Sequence, residues 1–258
     1  MNTEILGVIL MYGLLVVFAI PLGRYIGKIF NYEKTWLDGI FNPLDKLFYK
    51  LGGVDPERQM NWKQHLGALL VINLCWFLIS MFVLTNMAWL PLNPDGNPSM
   101  TGDLAFNTAV SFVTNTNLQH YSGETGLSYL GQLILMLWQF ISAGTGIAIC
   151  AMVFVAMKER SATALGNFYS FFVRANTRIL LPLACVVGVI LLFNGTPMTL
   201  EGKGSMVTLQ GDTVAVSRGP VAAFVAIKQL GTNGGGFYGP NSTHPLENPN
   251  YLTNMAET

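Results

Sequence analysis

Four long apolar stretches limit what this chain can fold into more than any other feature. They lie at residues 5–23, 66–90, 126–157 and 171–193, and the second contains no Asp, Glu, Lys or Arg. Hydrocarbon offers no hydrogen bonds, so a backbone crossing it must pair its own amides, which a helix does. A bilayer core of about 30 Å needs about 20 residues at 1.5 Å each. Residues 126–157 exceed that, so this helix is expected to tilt or to extend past the membrane. Composition agrees: 51% of the 258 residues are hydrophobic and 11% charged, against about 25% charged in an ordinary soluble domain. The first stretch does not fit a cleaved signal. No positive residue precedes it, and it is long for a signal core.

Charge sets the expected orientation. Arg24, Lys28, Lys34, Lys46, Lys50, Arg58 and Lys63 lie between or flank the first and second stretches; Lys158, Arg160, Arg174 and Arg178 do the same for the third and fourth. Residues 91–126 have no Lys or Arg, and only Lys203, Arg218 and Lys228 follow the fourth stretch. Cytoplasmic loops collect positive charge, so the N-terminus is expected outside. Arg174 and Arg178 are expected to snorkel to the interface. A net charge of zero leaves no footprint for nucleic acid. Cys75, Cys150 and Cys185 stand apart in apolar surroundings, without metal-ligand spacing.

Two shorter apolar segments remain, 103–113 (DLAFNTAVSFV) and 219–230 (GPVAAFVAIKQL). At helical rise each reaches roughly half-way through a bilayer, which suits a re-entrant segment; a helix lying on the membrane surface is the alternative. Each leads into a polar island: Val113-Thr114-Asn115-Thr116-Asn117 and Gly231-Thr232-Asn233-Gly234-Gly235-Gly236. Thr114-Asn115 and Thr232-Asn233 align at a spacing of 118 residues. A short helix precedes each island, and long helices flank the first on both sides. This is an internal repeat of helix, half-helix, island, helix. The expected fold is an all-α polytopic membrane protein of tandem helix–pore helix–filter–helix repeats, the second incomplete. Residues 1–258 would form one transmembrane domain: an N-terminal helix in 1–30, a cytoplasmic segment in 31–64, a first repeat in 65–160 and a second in 161–258, cut before its closing helix. A fragment of a longer protein is the expectation.

The islands suit a dehydrated cation. An ion sheds water only where oxygens replace it, and backbone carbonyls do this in known filters. Glycine permits the backbone angles such a loop needs. Thr114, Thr116 and Thr232 can add hydroxyls, and Asn115, Asn117 and Asn233 can brace the loops through their amides. The half-helix C-termini aim partial negative charge at the ion. Ordinary polar turns are the competing reading.

Residues 60–64 (MNWKQ), 90–94 (LPLNP), 107–117 (NTAVSFVTNTN), 121–125 (YSGET), 230–237 (LGTNGGGF) and 241–249 (NSTHPLENP) carry a resemblance. The chain resembles the potassium-binding A-subunit family of bacterial Kdp potassium-transporting ATPases, over essentially its whole length and about the N-terminal half of the family. The resemblance implies four pseudo-repeats around one outward-facing potassium filter. Val113, Thr114, Asn115 and Thr116 would supply its first quarter, and Gly231, Thr232, Asn233 and Gly234 its second. It implies a P-type ATPase catalytic subunit as partner, with a single-span C subunit and often a very short F peptide, in the bacterial inner membrane. The chain would be non-catalytic and without cofactor, potassium being cargo and ATP being used by the partner. No P-loop and no Asp-Lys-Thr-Gly-Thr phosphorylation motif is present. The alternatives are a subunit of a potassium symporter or channel-like system and, from another class, a non-transporting membrane scaffold.

Other polar residues fit around this scheme. Gln119, Glu124 and Lys228 are candidate vestibule residues, and His120 lies beside them. Lys228 faces either the vestibule or an acid such as Glu124 or Glu247. Asp103 suits a half-helix N-terminus. His65 is expected at the interface, as are Trp62 and Trp89, and His244 in the loop after the second island. Residues 38–51 have apolar positions at rough helical spacing and would lie on the membrane surface or dock the ATPase.

Overall fold

The computed structural model describes residues 3–116, 118–159, 163–231, 236–239 and 242–258. Helix α1 (Thr3–Phe30) is followed by the amphipathic α2 (Asp38–Gly52) and by α3 (Trp62–Asn86). The short α4 (Gly102–Val113) and the single turn α5 (Gly123–Gly126) precede α6 (Tyr129–Glu159). Helix α7 (Phe168–Arg174) passes through a π-helical segment (Ala175–Leu180) into α8 (Leu181–Phe193). A hairpin of β1 (Gly204–Val207) and β2 (Thr213–Val216) leads to the short α9 (Val221–Leu230), and α10 (Tyr251–Glu257) follows. Among the described residues, four spans are long and apolar enough to cross a membrane: α1, α3, α6 and the continuous run Phe168–Phe193. The protein is a helical, multi-pass membrane protein.

Helix ends follow local chemistry. Helix α3 starts at Trp62, four residues before its apolar run. Asn61 Oδ1 accepts the Gln64 amide at 3.0 Å, and Gln64 Oε1 accepts the Asn61 amide at 2.9 Å. This reciprocal cap satisfies two amides that the first turn leaves without partners. Helix α1 runs seven residues past its apolar stretch because Arg24 and Lys28 are good helix formers.

Both ends of the bundle are tied by hydrogen bonds to backbone carbonyls. At the basic end, the Met60 amide donates to Gly166 O at 2.8 Å and the Leu165 amide to Met60 O at 3.0 Å. Asn167 Nδ2 reaches Asp55 O and Arg58 O. At the other end, Asn97 Nδ2 donates to Leu127 O at 2.7 Å, and Tyr129 Oη to Arg218 O at 2.6 Å. The main core lies between α3, α4, α6 and α9, around Leu84, Phe112, Trp138, Phe224 and Phe237. Gly144 lets α6 lie against the π segment, since a Cβ there would overlap the Asn176 side chain. Small residues serve helix contact in the same way throughout membranes.

Three observations depart from the sequence reading. The β hairpin was not expected. It pairs Gly204 with Val216 and Val207 with Thr213, and its base is held where Ser217 Oγ donates to Asp95 Oδ2 at 2.8 Å. Arg178 does not snorkel to the surface. Its side chain is fully buried, with Nη2 2.6 Å from Asp45 Oδ2 and from Asn42 Oδ1, and Nη1 3.6 Å from Asp38 Oδ1. Helix α2 therefore turns one polar stripe onto the π segment. Burial pushes the Asp45 carboxyl up, against the opposing pull of Arg178 and Thr177. Asp38 is nearer solvent. Burial raises it too, but the Thr35 amide and hydroxyl and Arg178 together hold it below its usual range. Finally, His65, in the first turn of α3, is fully buried in protein, edge-on to Phe168 at 6.2 Å and tilted on Phe171 at 6.5 Å. Trp62 and Trp89 are exposed.

Candidate functional site

The two short helices meet end to end. Helix α4 has 12 residues and α9 has 10, about 18 and 15 Å, so neither crosses a bilayer. Their C-termini converge: Asn115, just past α4, donates from Nδ2 to the carbonyl of Gly231, the C-cap of α9, at 3.2 Å. Each C-terminus carries roughly half a negative charge in its last carbonyls. Two such ends at one point make a site that favours a cation.

Asn115 organises the first island. Its φ of 61° is left-handed, a conformation asparagine tolerates better than most residues. Its Oδ1 accepts from Gln139 Nε2 at 3.0 Å and from Ser142 Oγ at 2.9 Å, both on α6. Its Nδ2 goes to Gly231, so one amide joins α6, the first island and the second half-helix. A carbonyl has two lone pairs, so the Gly231 oxygen keeps acceptor capacity. Val113 is buried in the last turn of α4. Thr114 and Thr116 are exposed, their hydroxyls 2.9 Å apart. The Thr116 amide donates back to Ser111 O at 2.8 Å, and the Leu118 amide to Ser111 Oγ at 2.7 Å, which closes the turn. Asn117 lies outside the described residues.

The second island is described at Gly231 and Gly236, while Thr232, Asn233, Gly234 and Gly235 lie outside the described residues. Its exit is tightly built. Phe237 and Tyr238 are buried, and the Gly123 amide donates to Tyr238 O at 3.0 Å. The fully buried Gln132 donates from Nε2 to Gly123 O at 3.2 Å and to Phe237 O at 3.0 Å. A Cβ at Gly123 would overlap the Phe237 carbonyl, so this position takes no side chain. The turn following the first island thus stacks on the turn following the second.

Among the candidate vestibule residues, the structure brings Gln119 and Lys228 together. Lys228 is fully buried; its Nζ donates to Gln119 Oε1 at 3.1 Å and lies 5.1 Å from the Phe112 ring centre and 5.3 Å from that of Phe224. Ring faces attract cations at such distances. The first island's exit and the second half-helix are joined here a second time. Glu124 sits in α5, and its carbonyl accepts from Asn97 Nδ2 at 3.2 Å. His120 is exposed. Asp103 is fully exposed at the start of α4, and hydrogen bonds from Thr101 and from local amides lower its carboxyl. His244 stacks on Tyr238 with ring centres 3.8 Å apart.

The sequence offers Glu247 only as a partner for Lys228, yet it braces the exit of the second island at Gly236 and Tyr238. It is fully buried, and its Oε1 accepts the Tyr238 amide at 3.0 Å. A Cβ at Gly236 would overlap that carboxylate. Burial pushes the Glu247 carboxyl up to about 7, against amide hydrogen bonds and the charge of Lys228, which oppose the shift. Its place between two prolines, in ENP after HP, carried no helical or strand period to reveal it.

The chain is similar in sequence to known proteins. Residues 9–258 match the potassium-transporting ATPase A subunit family. A potassium-transporting ATPase potassium-binding subunit of Flavobacterium johnsoniae is 62% identical over 257 residues, covering 100% of this chain and 45% of the relative. The protein of that name from Bacteroides thetaiotaomicron is 55% identical over 258 residues, with the same coverage. That from Caldanaerobacter subterraneus is 44% identical over 248 residues, covering 96% of this chain and 44% of the relative. The chain therefore spans about half the length of the curated relatives it matches, and it belongs to the potassium-transporting ATPase A subunit family.

Proposed function

We propose that the chain supplies two of the quarters around a potassium-selective site, as part of the ion-binding subunit of an ATP-driven potassium uptake complex. The observation that carries this reading is the meeting of the α4 and α9 C-termini at the Asn115–Gly231 bond. Main-chain carbonyls of Val113, Thr114, Asn115 and Thr116, and of Gly231, Thr232, Asn233 and Gly234, would replace the water of a potassium ion. Gln119, Glu124 and Lys228 would line its approach. The ion would enter from the extracytoplasmic face of the bacterial inner membrane, with the N-terminus on that face. It would pass to a P-type ATPase partner, which uses the ATP; a single-span C subunit and a short F peptide would complete the assembly. The chain itself performs no chemistry and needs no cofactor.

The purified full-length protein tests the first half of this reading. Potassium should raise its thermal stability in a saturable way, as a ligand that binds only the folded state must, and sodium at the same concentration should not. Equal stabilisation by both ions would overturn selectivity. The second half is tested by uptake in vesicles containing the whole complex. Loss of uptake on ATP removal supports a pump, whereas ATP-independent uptake would favour the symporter or channel alternative.

A further inference from the structure

We propose that Lys228 and Glu247 form a charge-balanced brace at the two ends of the second island, setting how strongly the site attracts a cation. This rests on the potassium-binding reading above. The two residues approach the island from opposite ends. Lys228 lies on the half-helix that enters it, three residues before Gly231. Glu247 lies on the loop that leaves it and holds the Tyr238 amide beside Gly236. Both are fully buried. A lone buried charge is costly, which argues that neither is kept without the other.

The pair does not touch. No salt bridge joins Lys228 to an acid among the described residues. Lys228 spends its hydrogen bond on Gln119 and its field on two rings. Glu247 spends Oε1 on backbone, and its buried Oε2 has no hydrogen-bond partner among the described residues. Opposite charges buried in one low-dielectric region attract each other without contact. Two opposite charges held apart at the two ends of an island do not cancel between them. The ammonium repels an incoming cation and the carboxylate attracts it, so their sum tunes affinity. Lys228 and Glu247 are thus positioning residues that also set the local field; neither needs to touch the ion.

The test uses the full-length subunit in its complex, with potassium uptake measured against potassium concentration at about pH 7.5, above the Glu247 carboxyl's value of about 7, so that the carboxylate form prevails. Lys228→Met, close to lysine in volume, should lower the apparent KM for potassium about tenfold, and Glu247→Gln should raise it about tenfold. The double variant should return to within about threefold of wild type. Lys228→Arg, which keeps the charge, should stay within about threefold as well. A purely structural role predicts otherwise: every variant loses protein and maximal rate, the double most, while KM stays fixed. That pattern, or KM shifts in one direction that add in the double variant, would overturn the brace. Should Lys228→Met fail to fold, Glu247→Gln and the double variant decide the matter by the same criterion. Failure of the wild type to take up potassium would instead end the potassium reading.

Discussion

Two buried cations in this molecule are handled in opposite ways. At the basic end, Arg178 is surrounded by Asp45, Asp38 and Asn42, with Asp45 Oδ2 at 2.6 Å. Beside the islands, Lys228 has an amide oxygen and two aromatic rings, with its acid set apart on another loop. Arginine's planar fork suits several acceptors at once, while an ammonium behaves as a point charge. The first arrangement neutralises its cation and fastens α2 to the fourth span. The second leaves a field in a space where helix C-termini already gather negative potential. Architecture and the proposed ion handling would thus use the same ingredient, a buried positive charge, and differ in how closely its counter-charge is held.

The comparison breaks most visibly at Arg178. Arg178→Leu leaves Asp45 buried without its partner, and losing one member of a buried pair costs about 3–5 kcal/mol. Loss of most folded protein in detergent, seen as an early-eluting aggregate by size exclusion, is the expected result. The double variant Arg178→Met with Asp45→Leu should recover much of the loss, because it removes both charges together.

A smaller effect is expected at Asn115. Asn115→Gly keeps access to the left-handed backbone but deletes the bonds to Gly231, Gln139 and Ser142. Buried hydrogen bonds contribute about 1 kcal/mol each, so the full-length protein should lose about 1–3 kcal/mol and bind potassium more weakly. Isothermal titration with potassium reads the second effect. Unchanged affinity would mean that the link between the islands is ornamental.

The smallest effect is on pH. The Glu247 carboxyl is raised from 4.5 to about 7 in the folded protein. Between those values the folded state holds more protons than the unfolded one, so stability falls as pH rises. The contribution is complete below about 4.5 and gone above about 7. Thermal midpoints should therefore drop across this window, and Glu247→Gln should flatten the slope. An equal slope in the variant would assign the dependence to another group.

Legibility in the sequence divides along the range of the forces involved. The four spans and two half-helices depend on runs of apolar residues, a local property, and their existence was plain from residues 5 to 230. The ends shifted by a few residues where a cap such as Asn61–Gln64, or continuing helix formers such as Arg24, decided them. The hairpin at 204–216 was invisible because its strands are short and largely exposed, and its anchor is Asp95, far away in sequence. Arg178 and His65 looked interfacial because polar residues near helix ends usually are. Their burial depends on α2 and on Phe168 and Phe171, contacts that no periodicity encodes. At the islands, composition marked polar interruptions and their repetition. The Asn115–Gly231 bond, across 116 residues, and the Glu247 brace are tertiary facts.

The Arg178 cluster also bears on the order in which the protein is made. Thr177, which bonds Asp45, lies 132 residues after it, so translation delivers α2 long before anything exists to receive it. Until the fourth span emerges, the acidic stripe of α2 must wait in water at the membrane face. Its docking becomes a late checkpoint in biogenesis, closing only once the preceding spans are threaded.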